Sequence, residues 1–126
     1  MAQLTLAMRV QAVVTAIYGV TFFLVPDFML DTIFQWDGPD TFWPRGVGAM
    51  FLALAWIEWS LLDRLADVMT AVWGFVVLPA AIFIAFVWER AADNYDGSDF
   101  FFWTSIAVTV VFALWVGGTR AMAAKR

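Results

Sequence analysis

Four long apolar segments alternate with short polar stretches along this chain of 126 residues. They cover residues 4–25, 44–62, 68–88 and 100–116. None carries the polar stripe of a soluble amphipathic helix. Each is close to the roughly 20 residues that cross the hydrocarbon layer of a bilayer. The pattern therefore predicts one domain, residues 1–126, that folds as an all-α integral membrane bundle of four transmembrane helices.

Prolines mark three features of these helices. Pro26 ends the first helix, because proline cannot continue the hydrogen-bond ladder. Pro44 opens the second helix, where the first turn has no hydrogen bond to lose. Pro79 falls inside the third run, so we expect a kink there and a neighbouring helix that satisfies the freed carbonyl.

The fourth helix has expected limits at both ends. Ser98 or Asp99 is a suitable N-cap, because each side chain accepts hydrogen bonds from the first free N–H groups. Gly117 and Gly118 follow the apolar run, and we expect the helix to end there before the basic tail.

Charged residues divide unequally between the two sides that four spans create. The side with both termini holds five basic residues: Arg9, Arg64, Arg120, Lys125 and Arg126. The other side holds two basic residues, Arg45 and Arg90, and a row of acids: Asp27, Asp31, Asp37, Asp40, Glu89, Asp93, Asp96 and Asp99. Because basic loops stay in the cytoplasm, we expect a multi-pass protein of the cell membrane, a bacterial inner membrane, with cytoplasmic termini and an acidic extracytoplasmic face.

Composition narrows the chemistry. The chain is 63% hydrophobic and 14% charged, far from a soluble domain. It has no Cys and no His, which excludes thiolate metal sites and iron–sulfur clusters as well as His-ligated metal or haem. A net charge of −4 argues against nucleic acid. We expect no enzyme, no catalytic residue, no metal and no required cofactor, although grooves between helices could still accept an apolar cofactor or lipid.

Apart from Arg45 at the start of the second run, two charges lie within the apolar runs, Arg9 and Glu58. Antiparallel helices would place them at similar depth, and a charge inside a span is costly unless it is paired. We therefore predict an intramembrane ion pair between Arg9 and Glu58. The alternatives are an Arg9 that extends to the headgroups and a neutral or interfacial Glu58. Arg45 is a candidate interfacial anion contact, either to an acid of the preceding segment (Asp27, Asp31, Asp37 or Asp40) or to an anionic headgroup or substrate.

Small residues recur at helical spacing on the first two helices. On the first they follow Arg9, at Ala12, Ala16 and Gly19. On the second they are Gly46, Ala49, Ala53 and Ser60. Small residues let membrane helices approach closely, so we expect these two ridges to face each other.

Part of this pattern resembles a known group of proteins. The matching features are Arg9, Tyr18-Gly19, Pro26 and Arg45-Gly46-Val47-Gly48-Ala49. They resemble the small four-helix DoxX-like integral membrane proteins, over residues 9–118 in architecture and 9–49 in motif. The resemblance implies a single four-helix bundle, in some members a subunit or helper of a larger membrane oxidoreductase. It implies no catalytic residue.

Three functions fit these observations. The first is a non-catalytic accessory or assembly subunit that packs against a larger membrane complex. The alternatives are a small proton-coupled transporter that uses Glu58 and a protein that binds an apolar cofactor, such as a quinone or carotenoid, between its helices. Expected partners are the lipid bilayer, other membrane subunits or further copies of the chain, and a basic soluble protein at the acidic face.

Overall fold

The computed structural model describes residues 1–35 and 42–125, and all regular elements in these residues are helices. The long helices are α1 (Ala2–Leu24), α3 (Phe42–Leu61), α5 (Gly74–Ala91) and α6 (Asp99–Ala124). The connections contain α2 (Pro26–Phe28), a π-helical turn (Met29–Phe34), a 3₁₀ turn (Leu62–Asp67) and α4 (Met69–Val72).

Four stretches of the described residues are long and apolar enough to cross a membrane. They are Ala2–Leu24, Trp43–Asp67, Met69–Ala91 and Asp99–Ala124. The prediction of an all-α chain with four helices of membrane-spanning length is thus confirmed for the part of the chain that is described.

The long helices pack as two antiparallel pairs. Helix α1 packs on α3 and α5 packs on α6, and contacts between α1 and α6 join the two pairs. Helices α3 and α5 follow each other in the chain but touch very little. We name the end of the bundle that holds both termini and the 3₁₀ turn the terminal end, and the end with the π-helical turn and the α5–α6 loop the loop end.

Aliphatic side chains fill the terminal half of the bundle. The buried set consists of Leu4, Ala7, Met8, Leu62, Leu65, Val72, Phe75 and Val116. Arg120 closes this half, because its Nε donates to the carbonyl oxygen of Met69 at 3.1 Å and its guanidinium lies 4.6 Å from the ring centre of Trp73.

Aromatic rings and Ser98 hold the loop end. Phe34 lies 4.5 Å from Phe101 between ring centres, and Phe22 meets the same ring edge-on at 6.4 Å. Ser98 Oγ donates to the carbonyl oxygen of Ile33 and accepts from Phe101 N at 3.1 Å. Ser98 is therefore the N-cap of α6, and it also ties the α5–α6 loop to the π-helical turn.

Helix α6 runs past the expected stop at Gly117 and Gly118 and ends at Ala124. Two glycines in a helix cost about 2 kcal/mol relative to alanine. Thr119, beyond the two glycines, is buried. The contacts of Arg120 at the terminal end also lie beyond the glycines, so tertiary packing outweighs local propensity.

Close backbone approach joins α1 to α3, but through one residue that the small-residue pattern missed. A Cβ on Gly48 would lie 2.6 Å from Phe23 N and 2.7 Å from the Gly19 carbonyl oxygen. Gly19 thus faces α3 as predicted. The predicted ridge on the second helix was wrong, because Gly46 has no atom within 4 Å of such a Cβ and the others are exposed: Ala49, Ala53 and Ser60.

Candidate functional site: a cavity inside the bundle

Pro79 is the cause of a hydrogen bond that crosses the bundle from α1 to α5. Proline has no N–H, so the carbonyl oxygen of Phe75, four residues earlier in α5, has lost its helical partner. Gln11 of α1 replaces it, since its Nε2 donates to that oxygen at 2.9 Å. The prediction that a neighbouring helix satisfies this carbonyl is confirmed, although α5 continues through Pro79 as one helix.

Next to this bond lies a cavity of about 240 Å³. All four long helices contribute walls, which are almost entirely apolar. The aromatic lining residues are Tyr18, Phe22, Phe34, Trp43, Phe51, Phe86, Phe101 and Phe112. The cavity is partly open, and α3 and α5 line it with Val47, Leu78 and Ile82. These two helices make few contacts with each other.

Polar groups enter the cavity wall mainly from one face of α1. Gln11, Thr15 and Tyr18 all line it, at positions i, i+4 and i+7 of the helix. Ser105 and Thr109 line it from α6. Thr109 Oγ1 donates to the Ser105 carbonyl oxygen at 2.8 Å. Within residues 1–35 and 42–125, the hydroxyls of Thr15, Tyr18 and Ser105 form no hydrogen bond, so they are free to meet a ligand.

Gln11 is the most constrained of these groups. The residue is 2% exposed, and its Oε1 has no hydrogen-bond partner among the described residues. An apolar cavity with a few polar groups of this kind is the common form of a small-molecule site. The signal was visible in the sequence, because Gln11, Thr15 and Tyr18 place polar atoms on one face of an otherwise apolar run.

The predicted ion pair between Arg9 and Glu58 is not formed. Arg9 is exposed and its guanidinium lies 5.9 Å from the ring centre of Trp59. Glu58 is 1% exposed, and its Oε1 finds no hydrogen-bond partner in the part of the chain that is described. The long Arg9 side chain can reach polar surroundings and an aromatic face without being buried against Glu58. Glu58 does not line the cavity.

Arg45 lies at the start of α3, exposed and without an ion pair to any described residue. Of its predicted partners, Asp27 and Asp31 form no ion pair with it, and Asp37 and Asp40 lie outside the described residues. The ion pair of the described region joins Arg90 and Asp99 at 2.8 Å. Among the acids and other potential ligands in this region, no three side chains are grouped so that they could hold a metal ion.

Tyr95 belongs to the same end of the bundle. Its hydroxyl donates to the Ser98 carbonyl oxygen at 2.9 Å. Burial raises the pKa of Tyr95 to about 12; nearby Arg90 acts in the opposite direction and Asp99 in the same direction. Tyr95 therefore supports the loop that carries the α6 N-cap.

In comparisons with known proteins, no family model, curated protein or solved structure matches this chain. The DoxX-like resemblance stays a prediction.

Proposed function

We propose that this protein is a multi-pass membrane protein that binds a small, largely apolar molecule inside its helical bundle. The cavity is the observation that carries the proposal: it is lined by four apolar helices and bordered by a few polar groups on α1 and α6. The charge distribution along the chain favours an orientation with both termini in the cytoplasm.

The volume limits the size of the bound molecule. A cavity of roughly 150 Å³ holds one benzene ring, so this cavity suits a molecule or a molecular segment of roughly ten non-hydrogen atoms. A quinone ring or a short chain has that size. A carotenoid is much longer, and only one end of it could enter.

Access from the bilayer is consistent with the packing. Helices α3 and α5 both line the cavity and make few contacts with each other. An apolar molecule dissolved in lipid would pass between these two helices to reach the cavity without crossing water.

The test uses naphthalene as an apolar probe. Purified protein in lipid nanodiscs is dialysed against naphthalene, with protein-free nanodiscs as the blank for lipid partition. We expect saturable binding of one probe per chain above the blank. Val108→Phe should abolish it, because Val108 lines the cavity. Val111→Phe is the matched control on the same helix, since Val111 is exposed. Equal binding by both variants would contradict the proposal.

A second candidate is proton-coupled transport through Glu58. The supporting observation is a buried carboxyl with an unpartnered Oε1 in a membrane-length helix, since such groups commonly mark proton pathways. Its test is substrate-dependent proton flux in proteoliposomes with Glu58→Gln, and flux that survives this substitution eliminates Glu58 as the carrier. Glu58 does not line the cavity, so the binding test and the transport test address different residues.

The accessory-subunit function rests on the outer surface. Its large exposed apolar residues include Trp56, Trp88, Trp103 and Leu114. These suit acyl chains as well as neighbouring helices, so they favour neither. Co-purification of a stoichiometric membrane partner after mild detergent extraction would support the subunit function.

A further inference from the structure

The Gln11 amide has one permitted orientation. The Phe75 oxygen can only accept a hydrogen bond, so the amide group that meets it at 2.9 Å must be the donor, Nε2. A flip would bring two acceptor oxygens together and leave the Phe75 carbonyl without a partner. Pro79 therefore fixes Oε1 as the atom of Gln11 that has no hydrogen-bond partner among the described residues.

Oε1 of Gln11 is a hydrogen-bond acceptor in buried, apolar surroundings. Gln11 is buried and lines the cavity, and no described residue donates to its Oε1. A buried acceptor without a partner is unfavourable. A donor on a molecule in the cavity would satisfy Oε1, whereas a ketone or quinone carbonyl placed beside Oε1 would bring lone pairs against lone pairs.

We propose that the cavity selects apolar molecules that carry a hydroxyl or N–H group, which donates to Oε1 of Gln11. This inference rests on the proposed function, because it concerns the occupant of the same cavity. Thr15 and Tyr18 lie one and two turns further along the same helix face, next to the apolar rings that hold the body of the molecule.

The test compares two probes of one ring skeleton, 1-tetralol and 1-tetralone. The alcohol has a donor where the ketone has only an acceptor. Each is dialysed against the protein in nanodiscs, with protein-free nanodiscs as the blank. We expect the alcohol to bind roughly fivefold to tenfold more tightly, which is the effect of one neutral hydrogen bond.

Pro79→Ala tests the role of Gln11 in this preference. Alanine restores the N–H that bonds to the Phe75 oxygen, so the Gln11 amide can turn and donate to a ketone. We expect the alcohol-to-ketone affinity ratio to fall towards one. The ratio cancels the effect of the enlarged cavity, which both probes experience. Pro26→Ala, at the first position of α2, is the matched proline control and should keep the wild-type ratio.

The outcomes separate the two proposals. Equal affinity of both probes for the wild-type protein, abolished by Val108→Phe, would overturn the donor requirement and leave the proposed function intact. A preference for alcohol that persists in Pro79→Ala would overturn the assignment to Gln11. Failure of both probes to bind above the blank would overturn the inference and the proposed function together.

Discussion

The two halves of the bundle use the same four helices but pack them differently. The terminal half is filled by aliphatic side chains such as Leu4, Met8, Val72 and Val116. The loop half places large aromatic rings around a cavity of about 240 Å³. Both halves are apolar, so hydropathy does not distinguish them. Side-chain type does: mainly aliphatic chains fill the terminal half, whereas aromatic rings line the cavity of the loop half.

The largest expected effect tests how closely α1 and α3 pack in the loop half. Gly48→Ala would place a methyl group 2.6 Å from Phe23 N, a backbone atom that cannot turn away. Helices α1 and α3 must then separate, and we expect a loss of about 3 kcal/mol in the free energy of unfolding. Reversible unfolding in mixed detergent micelles measures it.

Gly46→Ala is the matched control, on the same helix and with nothing within 4 Å of the new methyl. We expect it to be neutral or slightly stabilising, because alanine favours helix. Equal losses in the two variants would show that the wall between α1 and α3 does not depend on close backbone approach.

A second pair of variants contrasts the halves directly. Val116 is fully buried in the terminal half, whereas Val108 lines the cavity on the same helix. Val116→Phe should cost about 2 kcal/mol, because the extra ring has no space. Val108→Phe should change the free energy of unfolding by less than about 0.5 kcal/mol, because the cavity accepts the ring. A cost at Val108 as large as that at Val116 would mean that the cavity cannot admit a ring.

A smaller effect concerns the hydrogen bond between Gln11 of α1 and the Phe75 carbonyl oxygen of α5. Gln11→Leu removes the donor to the Phe75 oxygen, and we expect a loss of about 1 kcal/mol, the usual scale for one such bond between membrane helices. In the Pro79→Ala background the same substitution should cost less, because the Phe75 oxygen then has a helical partner. The coupling in this double-mutant cycle is the measured quantity. Additive losses would indicate that Gln11 and Pro79 act independently.

The features that the sequence predicts depend on residues close together in the chain, whereas those that it does not predict depend on contacts between distant helices. Helix number and the role of Ser98 follow from hydropathy and capping, which act over a few residues. Gln11 shows the limit: the sequence indicates that the carbonyl freed by Pro79 needs a partner, but only the register of α1 against α5 identifies that partner. In the same way, only the register of α3 against α1 shows that Gly48, and not Gly46, lies at the close backbone contact. The ion pair of Arg9 and Glu58 failed because similar depth in two helices does not set the direction of their side chains.

The smallest expected effect lies at the loop end and depends on pH. The fold raises the pKa of Tyr95 to about 12, chiefly by burial, against about 10 in an unfolded chain. The fold therefore favours the protonated phenol, which donates to the Ser98 carbonyl oxygen. This stabilisation is complete below pH 10 and is lost as the pH rises to about 12. Tyr95 is only half-buried, so the effect is small. We expect the loss of this stabilisation to lower the midpoint of thermal unfolding by about 1–2 °C relative to Tyr95→Phe, which has no proton to lose. Thermal unfolding of both proteins at pH 9 and pH 12 measures this difference, and parallel pH curves would mean that the Tyr95 hydroxyl contributes nothing to the loop that caps α6.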